Sequence, residues 1–151
     1  MKLPMILVLG SVLALPALAQ TRNDVEITRA DIQADRKAIV ADNLSLTDEQ
    51  GAAFWPVYQE YRNEIAKIGD RAVKLVTDYA KGYDTLTDAQ ATALMTEHLA
   101  IQKDVVRVKE KYRARFEKAV PAKLVLRFYQ IENRLDTIMQ VEVLSAIPLA
   151  K

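Results

Sequence analysis

The sequence has no cysteine and is poor in glycine and histidine, with four Gly and one His among 151 residues. Without cysteine the chain has no disulfides, no thiolate metal ligands and no cysteine nucleophile. The four scattered glycines form no Gly-rich loop that could cradle a nucleotide phosphate. At this length we expect one domain, because domains usually span about 100–200 residues. These absences leave a small protein that is held together by packing alone.

The longest apolar run lies at the N-terminus. A short basic start and an apolar stretch over residues 3–15 precede a small-x-small cleavage sequence at residues 17–19. This order is typical of a cleavable secretory signal peptide, which we place at residues 1–19. A retained anchor helix is the disfavoured alternative, because the run is shorter than the about 20 apolar residues of a spanning helix. We therefore predict one mature all-helical domain over residues 20–151, with no membrane span after cleavage.

Apolar residues recur at helical spacing through the mature chain. Three seams follow alternating steps of four and three residues, and no segment sustains the two-residue alternation of a strand. The seams are Phe54, Tyr58, Tyr61, Ile65, Ile68, Ala72, Leu75 and Tyr79; Leu94, His98, Ile101, Val105, Val108 and Tyr112; and Leu124, Phe128, Ile131, Leu135 and Ile138. A weaker repeat of Val25, Ile32 and Ile39 indicates a first amphipathic helix.

The predicted fold is all-α, with four helices near residues 24–42, 48–81, 88–119 and 122–144. Gly82 and Pro121 mark the ends of the second and third helices. Two long helices joined by a short turn predict an elongated antiparallel helical hairpin within a four-helix arrangement. So few helices leave part of each seam for a second chain to cover, which favours a homodimer. Pro56 lies inside the second helix and predicts a kink there.

One local pattern occurs twice, at the start of each long helix. Residues 46–50 read Leu-Thr-Asp-Glu-Gln and residues 86–90 read Leu-Thr-Asp-Ala-Gln. In such a capping box the Thr hydroxyl accepts from a backbone N–H of the first turn, and the Gln side chain accepts from the N–H of the Thr. We interpret the motif residues as helix caps: Leu46, Thr47, Gln50, Leu86, Thr87 and Gln90.

The paired LTxxQ boxes behind a signal peptide resemble the CpxP/Spy family of periplasmic stress proteins. The resemblance covers about residues 24–120. It implies a small all-helical protein, commonly a dimer shaped as a shallow cradle. It also implies an ATP-independent chaperone or a negative regulator of an envelope-stress sensor kinase.

Four aromatic residues lie within eight positions around Pro56 and form the first candidate contact surface: Phe54, Trp55, Tyr58 and Tyr61. Either they form the hydrophobic core or they contact a partner, since Tyr and Trp present an apolar body with a polar tip. The two interpretations overlap if this surface is the dimer contact.

A basic ridge is the second candidate contact surface. Residues 103–127 carry nine basic and three acidic side chains, although residues 20–151 together are neutral. Four of the basic residues step by four along the third helix: Lys103, Arg107, Lys111 and Arg115. They either attract acidic or unfolded client proteins or pair with acidic groups of the first two helices. The acidic candidates are Asp31, Asp35, Asp42, Glu60 and Glu64.

His98 is the only histidine and lies on the second seam, so we expect it in the core or at an interface. A metal site needs several ligands, and no second His or Cys exists to join it. Protonation of a seam histidine is a weaker alternative that would make dimerisation sensitive to pH. We expect no metal, no cofactor and no catalytic site, because a single seam histidine supports no Ser-His-Asp arrangement. Nucleic acid is not an expected partner, since the neutral secreted chain has no nucleic-acid motif.

These features predict a periplasmic binding protein. It would capture partly unfolded clients through an apolar seam flanked by charge, or dock on an envelope sensor, without ATP. The alternative is a dedicated non-catalytic adaptor or subunit of one envelope complex. A generic client binder suppresses the aggregation of unrelated proteins, whereas a dedicated adaptor co-purifies with one protein. A metal sensor is a third hypothesis, which the ligand count disfavours.

Overall fold

The computed structural model describes residues 35–150, and these residues form helices and no strand. The four α-helices are α1, described over residues 35–44, α2 (Asp48–Gly82), α3 (Asp88–Ala119) and α4 (Ala122–Ser145). The predicted all-α fold is confirmed, and α2, α3 and α4 begin and end within one residue of the prediction. The predicted signal peptide and residues 24–34 of the predicted first helix lie outside the described residues.

Both predicted capping boxes are present. The Thr47 hydroxyl accepts from the Gln50 N–H at 3.2 Å, and the Gln50 side-chain oxygen accepts from the Thr47 N–H at 3.1 Å. Thr87 and Gln90 form the same pair of bonds, at 3.3 and 2.9 Å. Each box satisfies backbone donors that a helix N-terminus otherwise leaves unpaired. The start of each long helix is therefore determined by a few local residues.

The other ends of these helices follow local signals as well. Helix α2 ends at Gly82, and the 3₁₀-helix Tyr83–Thr85 joins it to α3. Val120 is extended, with φ −145° and ψ 159°, because the following Pro121 disfavours helical geometry at the residue before it. Helix α2 continues through Pro56 without interruption. The kink at Pro56 stays a prediction.

Helices α2 and α3 are joined by charged pairs along their length. Arg115 donates to Glu60 at 2.6 Å and Lys111 donates to Glu64 at 2.6 Å. Further along α2, Arg71 donates to Glu97, at 2.8 Å, and to Asp104 as well. Residue numbers thus rise along α2 while those of their partners fall along α3.

The core lies where α2, α3 and α4 meet near the end of α3. It is largely aromatic: ring centroids of Phe116 and Phe128 are 4.6 Å apart, those of Phe54 and Phe116 are 5.1 Å apart, and those of Tyr61 and Phe128 are 5.7 Å apart. Buried residues from all four helices form this cluster: Val40, Leu44, Phe54, Tyr58, Tyr61, Ile68, Ile101, Val108, Tyr112, Phe116, Val120, Val125, Phe128 and Ile131. Most of the buried rings and side chains therefore lie at one end of the long α2–α3 pair.

The structure corrects the predicted seams at two positions. His98 is exposed, with its Nε2 3.0 Å from Nε2 of Gln102, so it is not a core residue of this chain. His98 comes before Ile101, the first buried residue of α3, and so precedes the part of this helix that enters the core. Ile138, the last member of the α4 seam, is also exposed. A seam with heptad spacing drifts by about 20° per heptad around a straight helix, so its last member moves towards the edge of the packed face.

Candidate functional site

The four aromatic candidates lie mostly in the interior. Phe54, Tyr58 and Tyr61 are buried, whereas Trp55 is half-buried. Phe54 contacts Phe116 and Phe128, so its ring packs inside the chain. This placement favours the core interpretation for these three residues. Only Trp55 keeps surface through which it could contact a partner.

The basic ridge divides into two halves. Lys111 and Arg115 are held by Glu64 and Glu60 of α2, as the pairing interpretation expects. Arg107 is exposed and pairs with Asp104 of its own helix at 2.7 Å, and Lys103 is exposed. Lys111 is exposed as well, so the two halves differ in that Lys111 and Arg115 pair with acidic residues of α2 whereas Arg107 pairs within α3.

Exposed apolar side chains lie on α3 beside Lys103 and Arg107. Met95 is 64% exposed, Leu99 48% and Val106 55%. Their spacing of four and seven residues places them on one side of the helix. Helix α3 packs on α2 through Ile101, Val108 and Tyr112 on its other side. We call Met95, Leu99, Lys103, Val106 and Arg107 the outer face of α3.

Helix α4 also exposes apolar residues. The side chains are Leu126, Ile138, Val141 and Leu144, and Leu149 beyond the helix is 88% exposed. Lys123 and Arg127 are exposed near the start of the same helix. Ile138, Val141 and Leu144 are three residues apart, so they lie close together on the surface near the end of α4.

A cluster of charged residues that the sequence analysis missed connects all four helices. Arg36 of α1 is 1% exposed and Glu132 of α4 is 0% exposed. Arg36 donates to Glu132 at 2.9 Å and to Asp136 at 3.0 Å, and Arg62 of α2 donates to Glu132 at 3.0 Å. Lys109 of α3 lies 3.5 Å from Asp136. We call these five residues the buried ion cluster.

In the buried ion cluster, burial and the neighbouring charges shift the pKa values in opposite directions. Burial raises the pKa of Glu132, although the neighbouring Arg36 and Arg62 act in the opposite direction. Burial also raises the pKa of Tyr58 to about 12, and the nearby Glu132 carboxylate adds to this shift. The Tyr61 hydroxyl, Glu132 Oε1 and Arg36 Nε are buried without a hydrogen-bond partner among the described residues. Each buried polar atom without a partner lowers the stability of the folded chain.

A signal for the cluster was present in the spacing. Glu132 and Asp136 directly follow the seam residues Ile131 and Leu135, so they lie beside the packed face of α4. Arg36 stands four residues before Val40, in a segment whose apolar and acidic residues, but not its basic ones, entered the prediction. Charged residues beside a seam are common on solvated helix faces, which is why this spacing did not distinguish buried from exposed charges.

The described residues contain no group of three or more His, Cys, Asp or Glu side chains placed to hold a metal ion. Over residues 35–150, no helix combines the length and the apolar composition needed to cross a bilayer.

Comparison with models of protein families, with curated proteins and with solved structures finds no match to this chain.

Proposed function

We propose that this chain is a periplasmic, non-catalytic binding protein of the CpxP/Spy-like kind, which captures partly unfolded proteins without ATP. The observation that carries the proposal is the outer face of α3, where Met95, Leu99 and Val106 are exposed in line. Aligned apolar side chains on a surface typically serve protein contacts. The charged residues beside them, Lys103 and Arg107, suit segments that carry acidic groups.

This surface replaces most of the aromatic cluster that was a candidate contact surface in the sequence. Burial of Phe54, Tyr58 and Tyr61 leaves their rings unable to meet a client unless the core opens. Trp55 remains half-buried on the same helix. We therefore propose that the rings stabilise the fold and that α3 provides the contacts.

The proposal includes a finer description of the architecture. The order of the ion pairs between α2 and α3 supports an elongated antiparallel hairpin, on which the outer face of α3 lies away from α2. A second copy of the chain could cover Ile138, Val141 and Leu144 at the end of α4, which supports a homodimer. Secretion to the periplasm rests on the N-terminal segment of the sequence.

The test is light scattering from denaturant-unfolded model proteins diluted into buffer with and without residues 20–151. We expect near-stoichiometric amounts of the chain to suppress the scattering. Leu99→Ser combined with Val106→Ser should weaken suppression several-fold, because the change removes apolar contact area from the outer face of α3. Arg107→Glu should weaken suppression of acidic clients more than of basic ones.

The matched control is Leu126→Ser, which removes an equally exposed apolar side chain from α4. It should leave suppression unchanged, and circular dichroism should show full helicity for every variant. Equal losses in the two sets of variants would refute a role for the outer face of α3. A folded chain that suppresses no aggregation would refute general client capture and leave the dedicated adaptor as the better account.

A further inference from the structure

Helix α1 lies with one side in a groove formed by other helices of the chain. Its inward residues are Arg36, Val40 and Leu44, which follow each other at intervals of four and so share one side. All three are buried, and Val40 and Leu44 belong to the same cluster as Phe54 and Phe128. The groove thus has an apolar part and, towards the N-terminal side of α1, a charged part.

The charged part of the groove offers a cation two carboxylates, Glu132 and Asp136, which also have Arg62 and Lys109 beside them. Arg36 meets two carboxylates of α4, with both terminal nitrogens donating to Asp136 and one of them also to Glu132. Hydrogen bonds between ionised groups are stronger than neutral ones, and the guanidinium geometry suits two acceptors at once. An inserted helix therefore gains most if a cation precedes its apolar residues.

The connection between α1 and α2 carries backbone strain. Ser45 has φ 50°, in the left-handed region, where residues with a Cβ are rarely found. It is one of only three residues, 45–47, between the two helices. This strain is relieved if α1 leaves the groove and the connection relaxes.

The closed groove also leaves polar atoms without partners. Arg36 Nε and Glu132 Oε1 are buried and have no hydrogen-bond partner among the described residues. Both would regain hydrogen bonds with water when α1 leaves. Strain at Ser45 and these unpaired atoms offset part of the gain from burying Val40 and Leu44, so α1 is held less firmly than the rest of the core.

We propose that this groove is a second binding site, for an amphipathic helix of a partner protein that carries a cation followed by apolar residues at positions +4 and +8. In the resting chain α1 occupies the groove and blocks it. The partner's helix replaces α1 by repeating its pattern, which is a known mode of peptide recognition. The site lies away from the outer face of α3 and its occupancy does not depend on client capture there.

Hydrogen exchange of the intact mature chain, residues 20–151, tests whether α1 opens independently. We expect the amides of residues 35–44 to exchange at least tenfold faster than those of α2 and α4 around Phe54 and Phe128. Local opening of a helix gives this pattern, whereas loss of the whole fold gives a single rate. Equal rates in α1 and in the core of α2 and α4 would overturn the proposal.

Binding in trans tests the recognition pattern. Val40→Asp in the full mature chain places a charge at a fully buried position of α1 and should expel it without altering α2, α3 or α4. A fluorescein-labelled peptide of residues 35–46 should then raise its anisotropy with this variant at concentrations that give no change with the unmodified chain. The same peptide with Arg36→Ala should bind at least tenfold more weakly.

Equal binding of the two peptides, or no binding to a Val40→Asp chain that keeps the helicity of α2–α4, would overturn the proposed site. If Val40→Asp unfolds the whole chain, α1 is an integral part of the fold and the proposal is likewise wrong. The hydrogen-exchange experiment uses the unmodified chain, so it tests the opening of α1 independently of this variant.

Discussion

Glu132 connects three helices of the chain. Its carboxylate accepts from Arg36 of α1 and Arg62 of α2 while its own backbone belongs to α4. Burying a charge is unfavourable by itself, and the partners recover this cost only while the set is complete. The buried ion cluster therefore specifies how the helices fit together more than it adds to their stability.

Glu132→Ala should destabilise the chain by about 3 to 5 kcal/mol, because it leaves the buried Arg36 with an incomplete set of acceptors. The measurement is urea unfolding followed by circular dichroism. Glu117→Ala is the matched control, since Glu117 is exposed and its ion pair among the described residues is with Arg113 on its own helix. That variant should lose no more than about 0.5 kcal/mol. Similar losses for both variants would show that the buried ion cluster has no special role.

At the scale of the elements, each long helix has its start fixed by a capping box and its end fixed by a nearby Gly or Pro. Thr47 precedes α2 and Thr87 precedes α3, and in both the hydroxyl and the backbone N–H are paired with the Gln three residues on. Thr47 also sits next to Leu46, which packs against the core. The cap of α2 thus connects the start of the helix to the packing around it.

Thr47→Ala and Thr87→Ala should each destabilise the chain by about 1 kcal/mol, because each removes the acceptor for a backbone N–H. Thermal unfolding compared with that of the unmodified chain measures the effect. Thr96→Ala is the control, because its exposed hydroxyl donates to the Thr92 carbonyl within α3 and caps no helix start. A loss for Thr96→Ala as large as for the two caps would contradict the capping role.

The element boundaries were predictable because caps, Gly82 and Pro121 act over a few neighbouring residues. Whether a given side chain is buried or exposed in the assembled fold was harder to predict. Periodicity assigned His98 and Ile138 to seams, yet both are exposed, because periodicity does not contain where the other helices pack against each seam. Burial of Arg36 and Glu132 depends on contacts between residues 96 positions apart, which no local pattern contains.

At the scale of the whole molecule, the uneven charge of the chain is partly neutralised within it. The basic residues of α3 meet the acidic residues of α2 through Lys111–Glu64 and Arg115–Glu60. In these pairs the hydrogen bonds from Lys111 and Arg115 lower the pKa of Glu64 and Glu60, and Arg71 lowers those of Glu97 and Asp104 in the same way. Exposed pairs such as these are screened by salt, so their effect depends on ionic strength.

Stability should therefore fall in acid. A carboxylate whose pKa is lower in the folded chain contributes stability above its unfolded pKa, at about 4, and loses it as the pH falls through its folded pKa. Glu132 has the opposite sign: its raised pKa means that its ionised form costs stability, and a falling pH relieves that cost. We expect the urea midpoint to drop below about pH 4, where the four lowered carboxylates lose their contribution.

Arg71→Gln provides the matched variant for this pH series. It removes the Arg71 hydrogen bonds that lower the pKa of both Glu97 and Asp104, so the midpoint should depend less on pH than in the unmodified chain. A midpoint that is unchanged between pH 7 and pH 3 in the unmodified chain would contradict the contribution of these pairs.

Trp55 is the only tryptophan of the chain, and it lies beneath α1 with the Lys37 ammonium 5.4 Å from its ring centroid. A Cβ at Gly51 would lie 3.4 Å from the indole nitrogen, so the ring also rests closely against its own helix. Because one indole sits at the contact between α1 and α2, its emission spectrum is a built-in optical reporter of that contact. Departure of α1 would change the wavelength and quenching of this single fluorophore, and the movement could be followed in real time without any label.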